Sequence, residues 1–219
     1  MSQTKYLGII FDLDGVICST DEYHYEAWKA LAKEIGIDNF TKKDNNRQRG
    51  VSRMESLEIL LEKSERKFTD QEKLAMADRK NERYKELLVN INSFDLSDDV
   101  RVTLNTLRKA GMKLAIGSSS KNTALILERL GLGNFFDAVV DGNCITKSKP
   151  DPEVFLKAAQ RIGLKPGECL VVEDAISGIQ AGTLGGFDTA GIGEAMTDPQ
   201  TTYPLRDFSQ ILNIVLINS

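Results

Sequence analysis

Three short apolar runs constrain this chain more than any other feature. Tyr6-Leu7-Gly8-Ile9-Ile10-Phe11, Lys113-Leu114-Ala115-Ile116 and Cys169-Leu170-Val171-Val172 lack a helical period, and each stops abruptly at acidic, glycine or serine residues. Unbroken apolarity over so few residues suits strands buried on both faces, as in a parallel sheet. Helical patterns lie between and after them, such as Val100, Leu104 and Leu107 before Gly111, and the stretch 121–130 closed by Gly131. Strands alternating with helices predict an α/β fold built on a Rossmann-like, doubly wound parallel sheet.

The region from about Thr20 to Asn90 breaks the alternation, because it offers only helical periods: His24, Trp28, Leu31, Ile35, then Leu57, Leu60, Leu61, then Leu74, Ala77, Tyr84, Leu88. It reads as an inserted α-helical cap at 17–92, with the core formed by 1–16 and 93–219. At 219 residues the chain has room for a core carrying such an insertion. The insertion follows the first strand directly, and ligands in these sheets bind at the carboxyl ends of strands, so the helices can serve as a lid. A net charge of -4 argues against a broad nucleic-acid surface. Cys18, Cys144 and Cys169 form no CxxC pair and leave one over, which indicates neither a disulfide framework nor a zinc site. The first apolar run is too short for a signal peptide or a membrane span. A cytoplasmic protein with no membrane or nucleic-acid partner is expected.

Residues two apart in an extended segment share a side, so Asp12 and Asp14 are expected to point together off the first strand while Leu13 faces away. Two carboxylates so close call for a cation or proton between them. Glu173 and Asp174, at another strand end, could converge on the same crevice, and oxygen-only ligation there is what Mg²⁺ prefers. Asp12 is then a candidate for covalent catalysis, taking a phosphoryl group as an acyl phosphate, with Asp14 handling the proton. Gly117-Ser118-Ser119-Ser120-Lys121-Asn122, between a strand and a helix, has the make-up of an anion site. Lys149, before Pro150, could neutralise the acids and the phosphoryl group. Taken singly, each motif has a plainer reading: helix caps for the acids and serines, a solvated surface for Lys149.

Read in order, Asp12-Leu13-Asp14-Gly15, Ser118, Lys149 and Glu173-Asp174 resemble the four signatures of the haloacid dehalogenase superfamily of phosphotransferases, and the resemblance covers essentially the whole chain. Within it, Phe11 to Val16, Glu22-Tyr23-His24, Ala27 to Ala32, Gly50-Val51-Ser52-Arg53 and Ser120-Lys121-Asn122 are most similar to the β-phosphoglucomutases. The resemblance implies interconversion of β-D-glucose 1-phosphate and D-glucose 6-phosphate through β-glucose 1,6-bisphosphate, which also serves as activator. It implies Asp12 as nucleophile and Asp14 as acid and base. One Mg²⁺ would be held by Asp12, the backbone carbonyl of Asp14 and Asp174, with Glu173 nearby. Ser118, Ser119 and Lys149 would grip the transferring phosphoryl group, and Arg53, Ser120, Lys121 and Asn122 the distal phosphate. His24 and Lys80 would assist from the cap, Thr20 would lie by Asp14, and Arg49, Gly50 and Val51 would complete the binding segment. The partner is a small-molecule sugar phosphate, and a monomer is expected.

On residue pattern alone, His24 shares an apolar stripe with Trp28, Leu31 and Ile35 and could be a satisfied core histidine, Trp28 reads as cap core, and Lys80 lies in a charged run that would be a solvated helix face. Two departures from the family pattern are visible: Arg49 stands where a lysine usually precedes Gly-Val-Ser-Arg, and Ser19 where an aspartate is frequent. The nearest rival function is a phosphatase of the same superfamily, using Asp12 and Asp14 with water as acceptor. A signalling receiver with a phosphorylated aspartate would need no cap. A nucleotide-binding module is disfavoured, since neither GxxxxGK[ST] nor GxGxxG after a strand is present.

Overall fold

The computed structural model describes residues 5–216, so the outermost parts of the expected core, 1–4 and 217–219, lie outside the described residues. Six parallel strands form its sheet: β1 (Gly8–Phe11), β2 (Lys113–Gly117), β3 (Ala138–Val140), β4 (Cys169–Glu173), β5 (Asp188–Gly191) and β6 (Tyr203–Pro204), in the order β3-β2-β1-β4-β5-β6. β1 pairs with β2 and β4 in matching register, Phe11 opposite Ile116 on one side and Val172 on the other. The strand order reverses at β1, which places the crevice beyond β1, β2 and β4 where ligands of doubly wound sheets bind.

The period-two alternation of β1 sorts its side chains between two cores. Ile9 and Phe11 join one cluster with Leu104 and Leu107 of α5 (Asp98–Lys109) and with Ile211 and Val215 of α9 (Ile211–Leu216). Ile10 joins the opposite cluster with Phe155 and Ala158 of α7 (Glu153–Arg161) and Ala181 of α8 (Ile176–Leu184). Helices thus cover both faces, and the strands read as continuous apolar runs for that reason.

Between β1 and α5 lie α1 (Asp21–Glu34), α2 (Lys42–Asn46), α3 (Arg53–Leu61) and α4 (Asp70–Leu88). Trp28, Leu31, Leu57, Leu60, Met76 and Ala77 give these helices an apolar cluster of their own. Their roots belong elsewhere: Ala27, Tyr84 and Leu88 pack in the cluster under β1. A capping box at Ser52 and Glu55 starts α3, with Glu55 N bonded to Ser52 Oγ and Ser52 N to Glu55 Oε2. It fixes Arg53 as the first residue of the helix.

β3, β5 and β6 carry no sequence signal of the kind that marks the other three. β3 has three residues, β5 reads Asp-Thr-Ala-Gly, and β6 has two residues at the sheet edge, one of them proline. The helix expected from Lys121 begins only at Thr123, as α6 (Thr123–Arg129), because 118–122 form a hydroxyl-bonded turn.

Candidate active site

β1 ends by handing its ladder to the acids: Asp12 N donates to the carbonyl of Val172 at 2.9 Å. Leu13 is fully buried in the core cluster, while Asp12 and Asp14 bound one cavity of about 340 Å³. The chain then curls tightly, Gly15 N to Cys18 O at 2.7 Å and Ile17 N to Leu13 O at 3.0 Å. Gly15 sits at φ +88°, and a Cβ there would run into the carboxylate of Asp174. Only glycine lets the first strand loop pass so close to the end of β4.

Behind Asp12 stands a fully buried ammonium. Lys149 Nζ donates to Asp12 Oδ1 at 2.5 Å and to Glu173 Oε1, and lies 4.7 Å from the ring centre of Phe155. The other oxygen of Glu173 accepts from the backbone N–H groups of Asp174 and Ala175, each at 2.9 Å. Glu173 is therefore occupied in holding Lys149 and shaping the turn that presents Asp174. Burial alone would pull Lys149 down, but Asp12 and Glu173 hold its ammonium above the ordinary lysine value. Burial, with Glu173 and Asp14 adding to it, pushes Asp12 up to about 7 against the pull of Lys149. Asp14 is pushed up to about 6 by burial, opposed by the hydrogen bond it accepts from the Thr20 hydroxyl.

Asp174 tests whether a divalent cation fits. Burial and the adjacent Glu173 and Asp12 push it up to about 9, against the pull of Arg49. These carboxyls thus outnumber Lys149 and Arg49 and hold their protons for want of a further cation, and the missing Cβ at Gly15 lets the Asp174 carboxylate lie against the loop that carries Asp12 and Asp14. Among the described residues no three acidic, histidine or cysteine side chains form a ready cage. Mg²⁺ needs none, since one or two carboxylates with water suffice. The donor set fits.

The rest of the cavity wall comes from the turn after β2 and from the helices opposite. Ser118 and Ser120 hydroxyls accept from the N–H groups of Ser120 and Asn122, at 3.1 and 3.2 Å, and Ser119 Oγ donates to the carbonyl of Gly50 at 2.9 Å. Arg53 Nη2 donates to Asn81 Oδ1 at 2.8 Å, and Asn122 Nδ2 donates to the same oxygen at 2.9 Å, tying α3, α4 and the β2 turn together. Among the described residues no carboxylate lies within ion-pair distance of Lys80 or Lys121, both on the cavity wall.

Lys80 is the clearest departure from what residue pattern alone suggests. It is 4 % exposed, with Nζ 2.9 Å from His24 Nδ1 and 4.6 and 4.5 Å from the ring centres of Trp28 and Tyr84. The buried side of α4 runs Met76, Ala77, Lys80, Asn81, Tyr84, Leu88, so the charged run hides one lysine turned inward. Burial, reinforced by Arg53, takes Lys80 well below the ordinary lysine value, and burial with Lys80 and Arg53 keeps His24 neutral. His24 is half-buried against the Tyr84 ring and lines the cavity. Trp28 is cap core, as its stripe suggests, yet its ring also reaches the cavity wall.

Of the expected residues, Asp12, Asp14, His24, Arg49, Gly50, Val51, Arg53, Lys80 and Ser118 to Asn122 line this cavity. Thr20, Lys149 and Asp174 stand just behind, each touching a residue that does, and Glu173 stands behind Lys149. Sequence reasoning missed Asn81, Asp21, which bonds to Arg49 Nη2, and Ser148, whose hydroxyl donates to Glu55 at 2.5 Å. Asn81 carried a signal: a polar residue one turn from Ala77 and from Tyr84, on an otherwise apolar face. The other two carried none.

Residues 9–192 match the model of the haloacid dehalogenase-like hydrolases. The chain is 40% identical over 188 residues to a β-phosphoglucomutase of Bacillus subtilis (strain 168), covering 85% of this chain and 83% of that protein. It is 31% identical to the fructose-1-phosphate phosphatase YqaB of Escherichia coli (strain K12), covering 86% and 97%. Among solved structures, a β-phosphoglucomutase from Clostridium difficile superposes with a TM-score of 0.88 at 35% identity, covering 94% of this chain and 93% of that one. With its acid pair, buried lysine and serine turn gathered at the strand ends that such a match spans, the chain belongs to the haloacid dehalogenase-like hydrolase family.

Proposed function

We propose that this chain interconverts β-D-glucose 1-phosphate and D-glucose 6-phosphate as a phosphoglucomutase, by way of a phosphorylated Asp12 and β-glucose 1,6-bisphosphate. The observation that carries the reading is that one cavity is lined by two sets of anion-binding groups. Asp12 and Ser118, with Lys149 behind, would serve one phosphate, and Arg53, Lys121 and Asn122, two of them joined through Asn81, would serve the other. A hydrolase needs the first set; a bisphosphate needs both. The greater identity to a mutase than to a sugar-phosphate phosphatase points the same way.

In this reading Asp12 attacks phosphorus, and the sugar oxygen leaves with a proton from Asp14; the reverse half-reaction returns that proton from the attacking hydroxyl. Asp14, at about 6, exchanges protons near neutrality. Lys149 neutralises Asp12 and the phosphoryl oxygens, and the Thr20 hydroxyl fixes the rotamer of Asp14. One Mg²⁺ held by Asp12, the backbone carbonyl of Asp14 and Asp174 would supply positive charge at the transferring phosphoryl group, with Glu173 orienting the set from behind. The distal phosphate suits the planar guanidinium of Arg53, steadied by Asn81. Lys80, which has no carboxylate partner among the described residues and lies against Trp28 and Tyr84, would meet the sugar. Residues 17–92 act as the cap, excluding water so that the sugar is the acceptor.

The test is a coupled assay for D-glucose 6-phosphate from β-D-glucose 1-phosphate, with Mg²⁺ and catalytic bisphosphate. Isomerisation is expected; release of glucose and phosphate without it would replace the mutase by a phosphatase. No helix among the described residues is long and apolar enough to cross a membrane.

A further inference from the structure

Arg49 joins two carboxylates that come from different parts of the fold. Its Nη2 is hydrogen-bonded to Asp21 in the first turn of α1, and its Nη1 lies 3.8 Å from Oδ2 of Asp174 at the end of β4. Its side chain is 29% exposed, and its Nε is buried without a hydrogen-bond partner. The backbone beneath it is pinned. Gly50 has φ +73°, and a Cβ there would strike the hydroxyl of Ser177; Ser119 Oγ holds the Gly50 carbonyl, and Ser177 Oγ reaches the Arg49 carbonyl at 3.5 Å. The guanidinium is therefore delivered to Asp174 by a segment docked on the turn after β2 and on the first turn of α8.

We propose that Arg49 is a tethered cation that competes with Mg²⁺ for Asp174, and that Asp21 draws it aside, so that the pair sets the metal affinity of the site. The inference rests on the Mg²⁺ reading of Asp12 and Asp174 given above. A positive charge held beside a ligand carboxylate repels an incoming cation and satisfies part of the charge that would attract it. A planar guanidinium can bond Asp21 with one nitrogen while presenting another to Asp174; an ammonium is a point charge and does this poorly. Arginine at this position is thus what makes the bridge. By linkage, whatever Arg49 takes from Mg²⁺ affinity, bound Mg²⁺ takes from the hold of the 49–50 segment on Asp174. Both are positioning residues; neither is assigned a place in the chemistry.

The experiment is calorimetric titration of MgCl₂ into wild type, Arg49→Gln, Asp21→Asn and the double variant, at low salt and without substrate. Arg49→Gln should tighten Mg²⁺ binding by about five- to tenfold and Asp21→Asn should weaken it by a similar factor. The double variant should bind like Arg49→Gln, since Asp21 acts through the arginine. Equal or weaker binding by Arg49→Gln overturns the proposal, as does an Asp21→Asn effect of the same size with and without Arg49. Arg49→Met, which removes the charge in a different way, should tighten Mg²⁺ binding as Arg49→Gln does, and it decides the matter if the glutamine variant does not fold. A wild type with no saturable Mg²⁺ binding would overturn the metal reading itself, whereas normal binding unmoved by any substitution overturns this inference alone.

Discussion

Replacing Lys149 by methionine removes the one cation buried between Asp12 and Glu173 while keeping most of the side-chain volume. Lys149 and Glu173 are completely buried and Asp12 is 6 % exposed, so water cannot take over the hydrogen bonds of the ammonium. Breaking a buried pair from one side costs about 3–5 kcal/mol. For a chain of this size each kcal/mol is about 2–4 °C in Tm, which gives a fall of ~6–20 °C. The pH dependence follows from sign. Lys149 is held above its unfolded value, so its stabilisation is fully present at every pH below about 10.5. Asp12 stands at about 7 in the folded wild type, so its burial costs stability as pH rises from about 4 to 7 and no further. Without Lys149 that carboxyl titrates higher, and the loss goes on growing above pH 7 by up to ~1.4 kcal/mol per pH unit. Thermal unfolding in EDTA at pH 6 and pH 8.5 should therefore show a larger Tm difference from wild type at the higher pH. A difference under ~2 °C at both, or one that shrinks as pH rises, would refute the view that Lys149 neutralises these acids.

The chemistry makes its own predictions. Asp12→Asn should abolish turnover and acid-labile protein phosphate, while Asp14→Asn should leave a sluggish enzyme, down by ~10²–10⁴. Because Asp14 sits at about 6, the half-reaction in which it accepts a proton should lose rate below about pH 6, and that limb should vanish from the rate profile of Asp14→Asn. Arg53→Ala should weaken bisphosphate use by ~10–100-fold, the worth of a charge-assisted hydrogen-bonded contact, while phosphorylation of Asp12 by acetyl phosphate changes by less than ~3-fold. Equal losses in both would count against a distal-phosphate role for Arg53.

The parts of this molecule that sequence revealed are those where chemistry and period coincide. Apolar runs betrayed β1, β2 and β4 because each is buried on both faces, and the acids and serines stood out because they follow those runs directly, whereas Lys149 stood out only by its place before Pro150. β5 stayed hidden because its burial is achieved with Thr189, Ala190 and Gly191, residues too small to mark a strand. Lys80 and Asn81 illustrate the other limit. Their neighbours Asp78, Arg79, Glu82 and Arg83 make a solvated-looking run, and the phase of α4 against α1, where Trp28 and His24 stand, turns those two inward on the side that Tyr84 shares. Asp21 is legible only once Arg49 is seen beside it, since their pairing spans 28 positions and follows no local period.

The account turns on the fate of the phosphoryl group carried by Asp12. Protein phosphorylated with a radiolabelled acyl phosphate in Mg²⁺, then mixed with β-D-glucose 1-phosphate, measures it directly by partition of label between bisphosphate and inorganic phosphate. Transfer chiefly to the sugar, lost when Asp12 is asparagine, is the predicted result. Label released mainly as inorganic phosphate whatever the sugar concentration would contradict it.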